Sequence, residues 1–160
     1  MLSKVKREDR GVEIRTMRRE DSAEVSRILQ QSPEAVSWAE RSLEESADSA
    51  TGVALVSESL GEITGFVLGR HIGDEAEILN LAILPEKRRR GEGRALLEKA
   101  LAEFQTRGVR RVFLEVRESN VKAIAFYKKH GFSETGRRKA YYRDPEEAAL
   151  LMEKQLNPCG

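Results

Sequence analysis

"AEILNLAILPEKRRRGEGRALLEKAL", residues 76–101, runs from an apolar strand through a basic turn into an apolar helix. The first part reads as a buried strand that stops at Pro85, because proline cannot donate to a ladder. Beyond the turn, Leu97, Leu101 and Phe104 fall at i, i+4 and i+7, with Leu96 and Ala100 beside them and Gly108 as the stop. A glycine- and arginine-rich loop in that place presents unpaired backbone N–H groups at the positive end of a helix dipole. Such a site suits phosphate. Gly91 and Gly93 let the backbone approach a bulky anion, while Arg88, Arg89, Arg90 and Arg94 add charge-assisted contacts. The spacing satisfies neither a Walker loop nor a dinucleotide fingerprint. Taken alone, the run also fits a solvated cationic turn or a basic patch for nucleic acid. Against the latter, no aromatic side chain interleaves the arginines.

Working outward, "VEIRTM" (12–17) reads as a strand, followed by a helix whose apolar face carries Val25, Ile28 and Leu29. Residues 33–46 read as a second helix holding the sole tryptophan, Trp38. "TGVALVSES" and "EITGFVLGR" are short apolar runs separated by Leu60-Gly61, a hairpin signature. After the quoted stretch come a strand "RRVFLEVRE", a short helix "NVKAIAFYKKH" ended by Gly131, and two final strands at 132–142 and 147–155. The order β, α, α, β, β, β, α, β, α, β, β predicts an α/β domain with a mixed sheet.

The chain has 160 residues, 39% hydrophobic and 34% charged, which suits one globular domain over 12–156, between a flexible extension at 1–11 and a tail at 157–160. The net charge is +1, so the cluster at 87–94 is local, and a general nucleic-acid binder would be more basic. With no long apolar run and no secretion signal, the expectation is a cytoplasmic protein that engages no membrane. Cys159, the only cysteine, has no second thiol to pair with and reads as incidental. His71 and His130 lack partners at metal-ligand spacing, so no metal is expected.

The strand "VFLEVR" holds a further signal. Val112, Leu114 and Val116 alternate with Phe113 and Glu115, setting a carboxylate in an otherwise apolar strand. A salt bridge to Arg117 or Arg111, or a solvated sheet edge, would account for it, and so would a general base. Tyr127 follows Asn120 by seven residues, which on a helix puts both on one face about 10 Å apart.

These segments resemble the GNAT N-acetyltransferase superfamily. "LAILPEKRRRGEGRALLEKAL" resembles its [QR]xxGx[GA] motif, with Arg88, Gly91 and Gly93 in the three positions. "FLEVRESNVKAIAFYKKHGF" resembles the LxVxxxNxxAxxxYxxxGF segment, through Asn120, Ala123, Tyr127, Gly131 and Phe132. Together with "RRKAYYRDPEEAALLMEKQL" the pattern is most similar to the RimI-type ribosomal-protein-alanine N-acetyltransferases, over about 12–156. The resemblance implies a mixed sheet splayed between the fourth and fifth strands, with about four helices, and acetyl-CoA as the anion. It implies that the pyrophosphate lies on the amides of Arg89 to Arg94, and that Leu81, Ile83 and Asn120 also hold the cofactor. A backbone N–H near Ile83 would polarise the thioester carbonyl. Glu115 matches the general base, and Tyr127 the acid that protonates the departing thiolate. Glu92 stands where the family usually has an apolar residue; a carboxylate beside pyrophosphate is unfavourable unless it points to solvent or pairs with Arg88 or Arg89, and it is expected to point out.

Magnitudes favour one acceptor. An α-amine is about one-tenth neutral at pH 7, whereas a lysine is neutral in about one molecule in a few thousand. The resemblance implies the N-terminal alanine of a small-subunit ribosomal protein, whose first residues are basic. Asp74, Glu75 and Glu77 would attract such a peptide. Trp38 in "SWAE" resembles an acceptor-site segment of the family, and Tyr141 with Tyr142 its paired tyrosines, which line the peptide groove or simply pack. The alternatives are a GNAT enzyme for a small amine and a non-catalytic acyl-CoA-binding module. Glu115 and Tyr127 speak against the module, since binding needs neither.

Overall fold

The computed structural model describes residues 11–31, 40–88, 90–143 and 146–157. Trp38, Arg89 and Cys159, with the first ten residues and the rest of 32–39, lie outside them. The elements are β1 (Glu13–Thr16), α1 (Ser22–Gln30), α2 (Glu40–Asp48), β2 (Gly52–Ser59), β3 (Glu62–Ile72) and β4 (Glu75–Ile83), then α3 (Glu92–Thr106), β5 (Arg111–Arg117), α4 (Val121–Lys129), β6 (Ser133–Arg143) and β7 (Glu146–Gln155). The order agrees with the sequence expectation. Helix α2 runs on to Asp48, two residues past its expected end.

The chain gathers into two compact units, one holding residues up to Gly69 with Asn80–Glu103, the other Arg70–Leu79 with the chain from Phe104 onward. β3 and β4 contribute to both.

In the first unit the strand order is β1-β2-β3-β4. β1 pairs antiparallel with β2 from Glu13↔Glu58 to Thr16↔Leu55. The β2–β3 turn puts Leu60 at φ 52° and Gly61 at φ 78°, the left-handed backbone that a tight hairpin requires. Val25 and Ile28 of α1, Val56 of β2, and Phe66 and Val67 of β3 are wholly buried, as are Leu96, Leu97 and Ala100 of α3. Leu96 and Leu97 lie four and three residues before Ala100, which aligns each with it on one helix face.

An ion-pair cluster ties β1 to the start of α1. Arg15 donates to Asp21 at 2.8 and 3.1 Å and to Glu58 at 3.0 Å, while the Arg18 amide donates to Asp21 at 2.7 Å. Burial alone would raise the Asp21 pKa, but the Arg15 guanidinium and the Arg18 N–H outweigh it and hold the carboxyl below its ordinary range. A folded pKa below the unfolded one means stability present above about pH 4 that is lost as pH falls through the folded value. Asp21→Asn is therefore expected to cost about 1–3 kcal/mol at pH 7 and to flatten the acid limb of stability against pH, read by urea unfolding at pH 3 to 7.

In the second unit the order is β4-β5-β7-β6. β4 and β5 are parallel, and their ladder runs only from Glu75↔Arg111 to Glu77↔Phe113, the open arrangement expected of the fourth and fifth strands. β5 pairs antiparallel with β7 along its whole length, from Arg111↔Gln155 to Arg117↔Ala149. β6 pairs with β7 through register shifts at Glu134/Gly136 and Arg138/Tyr142, which re-aim the side chains of its second half. Phe104, Val112, Ala149 and Met152 are wholly buried here.

Helix α4 ends on Gly131, at φ 92°, with the Phe132 amide returning 3.0 Å to the Tyr127 carbonyl. A Cβ at Gly131 would come within 2.8 Å of Lys154 Nζ, which donates to the His130 carbonyl at 2.6 Å. Gly131→Ala is expected to cost about 1–2 kcal/mol in urea unfolding, through the left-handed backbone and the displaced lysine.

Candidate active site

In the first unit, β4 leaves Ala82 and Leu84 buried and Leu81 and Ile83 half-buried on the opposite side of the pleat. The Leu84 amide donates 2.8 Å to the Thr64 carbonyl, and Pro85–Lys87 form a single turn of 3-10 helix. Arg88 folds back, its Nε donating to the Ile83 carbonyl at 3.2 Å. Gly91 adopts φ 82°, and its carbonyl accepts from Ala95 at 3.0 Å, which opens α3. The amides of Glu92, Gly93 and Arg94 precede the first intrahelical bond, so they stand at the positive pole of a 15-residue helix. Arg90 is exposed, and Arg94 pairs with Glu98 at 2.8 Å one turn along. This turn offers amides and cations to a phosphate.

Glu92 corrects the expectation. It turns inward and is 2% exposed, accepting from Thr64 Oγ1 at 2.8 Å and Ser57 Oγ at 3.4 Å. Its other oxygen is buried without a hydrogen-bond partner among the described residues. The physical reason is the helix start itself: with α3 beginning at Glu92, this residue lies on the side of the first turn facing β2 and β3, where the two hydroxyls take the carboxylate. Of the two arginines named as partners, Arg89 lies outside the described residues, and no ion pair of Glu92 with Arg88 occurs among them.

In the second unit, Glu115 sits on β5 opposite Leu151 of β7, between buried Leu114 and Val116. Its Oε1 lies 3.6 Å from Arg138 Nη1, and its Oε2 is buried without a hydrogen-bond partner among the described residues. The alternatives weighed from sequence, Arg117 and Arg111, pair elsewhere: Arg117 with Glu147 at 3.3 Å, and Arg111 with Glu75 at 2.7 Å and Glu153 at 3.4 Å. The nearby Glu115 carboxylate, with burial, pushes the Tyr141 phenol pKa up. Glu115 lines a pocket of about 310 Å³ with Glu77, Phe113, Thr135, Arg138 and Leu151. A buried, under-satisfied carboxylate oxygen at a pocket wall can accept a proton from a bound donor.

Tyr127 is 8% exposed, its ring edge-on to Phe126 and Phe132. Burial, with a smaller contribution from Tyr142, raises its pKa far above the ordinary phenol value, so it keeps its proton. Tyr142 is pushed up to about 12, first by burial and then by the charge of Glu115, and its ring carries the Arg117 guanidinium at 4.3 Å. Asn120 is not part of the helix as expected. It caps α4, its Oδ1 accepting from the Ala123 amide at 3.2 Å, which leaves its NH2 group as the end able to donate to a ligand.

The acidic mouth is more neutral than expected. Glu75 is paired to Arg111, Glu77 to Arg70 at 3.5 Å, and Asp74 contributes its carbonyl to the Arg110 amide at 2.6 Å. Of the three, Glu77 lines the pocket. Sequence reasoning missed Arg138, whose only signal was a cation three residues before the tyrosine pair, and missed Ser57 and Thr64 beneath Glu92. No group able to hold a metal occurs among the described residues, and no helix among them is long and apolar enough to cross a membrane.

An α/β chain with an open, mixed sheet, a glycine- and arginine-rich turn ahead of its third helix and a half-buried carboxylate on the fifth strand has the architecture of the acyl-CoA N-acyltransferases. The chain belongs to the acetyltransferase (GNAT) family, whose profile matches residues 16–132. It is 43% identical over 94 residues to the [ribosomal protein bS18]-alanine N-acetyltransferase of Escherichia coli K12, a match covering 58% of this chain and 64% of that protein. The match thus spans less than two thirds of that relative's length. The crystal structure of the ribosomal-protein-S18-alanine N-acetyltransferase from Escherichia coli superposes with a TM-score of 0.83 at 31% identity, covering 93% of this chain and 96% of that one. Naa20 from Chaetomium thermophilum, in complex with a bisubstrate analogue, gives a TM-score of 0.80 at 28% identity, covering 90% and 86%.

Proposed function

We propose that this protein transfers the acetyl group of acetyl-CoA to the α-amine of protein N-termini, with the N-terminal alanine of a small-subunit ribosomal protein as acceptor. A ribosomal acceptor assigns the reaction to the cytoplasm. The observation that carries this reading is Glu115, whose unpartnered buried oxygen lies at the wall of a pocket. The similarity to a ribosomal-protein-S18-alanine N-acetyltransferase supports it.

The residues present fit acetyl-CoA. The first-turn amides of α3, with Arg88, Arg90 and Arg94, supply donors and charge for a pyrophosphate, and the Asn120 NH2 group can donate to the cofactor. Leu81 and Ile83 are half-buried apolar positions on β4, suited to the pantetheine arm. Glu115 takes the proton of the attacking amine through a water as the new C–N bond forms. Tyr127 gives its proton to the sulfur as the C–S bond breaks, and its raised pKa keeps that proton in place beforehand. Tyr141 stands beside the Glu115 carboxylate, whose charge raises the phenol pKa and keeps the phenol neutral. The neutral fraction of an α-amine at pH 7, about a hundredfold or more above that of a lysine, lets one carboxylate suffice.

The test is coenzyme A release from acetyl-CoA with a short basic peptide bearing a free N-terminal alanine, beside its N-terminally blocked copy and a small free amine. Turnover with the free N-terminus alone is the expected result. Activity confined to the small amine would move the protein to the other enzyme class, and cofactor binding without turnover would make it a binding module.

A further inference from the structure

Glu92 stands apart from the machinery above, which uses its backbone amide but not its carboxylate. The side chain is 2% exposed and is met by Thr64 and Ser57, both wholly buried. Both hydroxyls reach the same oxygen, and each other at 3.1 Å, while the other oxygen has no hydrogen-bond partner among the described residues. No ion pair to Glu92 occurs among the described residues: Arg94 is held by Glu98, and Arg88 Nε reaches the Ile83 carbonyl. An acidic side chain therefore occupies the first turn of α3 from the inside, at the pole that attracts negative charge.

We propose that Glu92 is a built-in competitor for that pole, a buried charge that weakens coenzyme A binding and so speeds release of the product. The inference rests on the reading that the first-turn amides of α3 hold the pyrophosphate. Without ligand, the carboxylate rests on the Thr64 and Ser57 hydroxyls. With ligand, two anions share one positive end, and their repulsion is set against the bound state. Because the residue is buried, solvent and salt screen that repulsion much less than they screen the exposed arginines. The charge is the active property. A neutral side chain of the same shape, still able to accept from Thr64 and Ser57, removes the competition and keeps the packing.

The experiment is calorimetric titration of coenzyme A into wild type, Glu92→Gln and Glu92→Leu at about 0.05 M and about 0.5 M salt, with thermal unfolding of each protein alone and saturated. Glu92→Gln is expected to bind about tenfold tighter, with most of that gain kept at high salt while the affinity of all three proteins falls. Alone it melts below wild type, and its rise in Tm on saturation is larger. Glu92→Leu binds tighter as well if charge is what matters, and Glu92→Gln decides the question if the leucine variant does not fold. Glu92→Gln binding within twofold of wild type, or more weakly, overturns the inference and makes Glu92 a packing and capping residue only. Absence of coenzyme A binding by wild type overturns the reading of the turn itself, and this inference with it.

Discussion

Glu115→Gln is expected to lower kcat for a peptide with a free N-terminus by about a hundredfold to ten-thousandfold, while the KM for acetyl-CoA changes little. The amide has the shape of the carboxylate but cannot take the proton from the attacking amine. The deficit should shrink as pH passes about 8, since the α-amine then deprotonates itself and needs no base. That pH-dependent recovery separates loss of a base from loss of structure. Stability is expected to move by less than about 1 kcal/mol, because the Arg138 partner is exposed and its ion pair is screened. A variant with full activity at pH 7 would remove Glu115 from the chemistry. Steady-state rates from pH 6 to 10, with thermal unfolding beside them, give the answer.

Tyr127→Phe is expected to lower kcat about a hundredfold or more by depriving the leaving sulfur of its proton, with binding of coenzyme A retained. Burial raises the Tyr127 pKa, so the wild-type rate should show no alkaline limb from this residue below about pH 10. The same shift fixes a sign for stability. A phenol whose folded pKa lies above its unfolded value contributes no pH dependence below about pH 10, and stability falls above it as the unfolded chain releases the proton first. Phenylalanine keeps the edge-on packing against Phe126 and Phe132, so a loss of rate without a loss of stability is the informative result. Rates unchanged in Tyr127→Phe would leave the tyrosine as a core aromatic.

The chain by itself determined the order of elements, because their signals are local. The i, i+4, i+7 row of Leu97, Leu101 and Phe104, the hairpin at Leu60-Gly61, Pro85 and the glycine stops at 108 and 131 each act within a few residues. Glu115 and Tyr127 were legible for the same reason, one as a break in an apolar alternation and the other as part of a spaced motif. Tertiary structure decided what those side chains meet. Glu92 reads as a residue of a basic loop, and only the approach of β2 and β3 brings Thr64 and Ser57 to it and turns it inward. Arg138 reaches Glu115 through strand order and a register shift in β6 that no local pattern encodes. The acidic mouth lost charge to Arg70 and Arg111 by the same route. Periodicity and turn chemistry are properties of short stretches, whereas the partner of a charge is set by which distant strands lie side by side, and that is fixed only when the core closes.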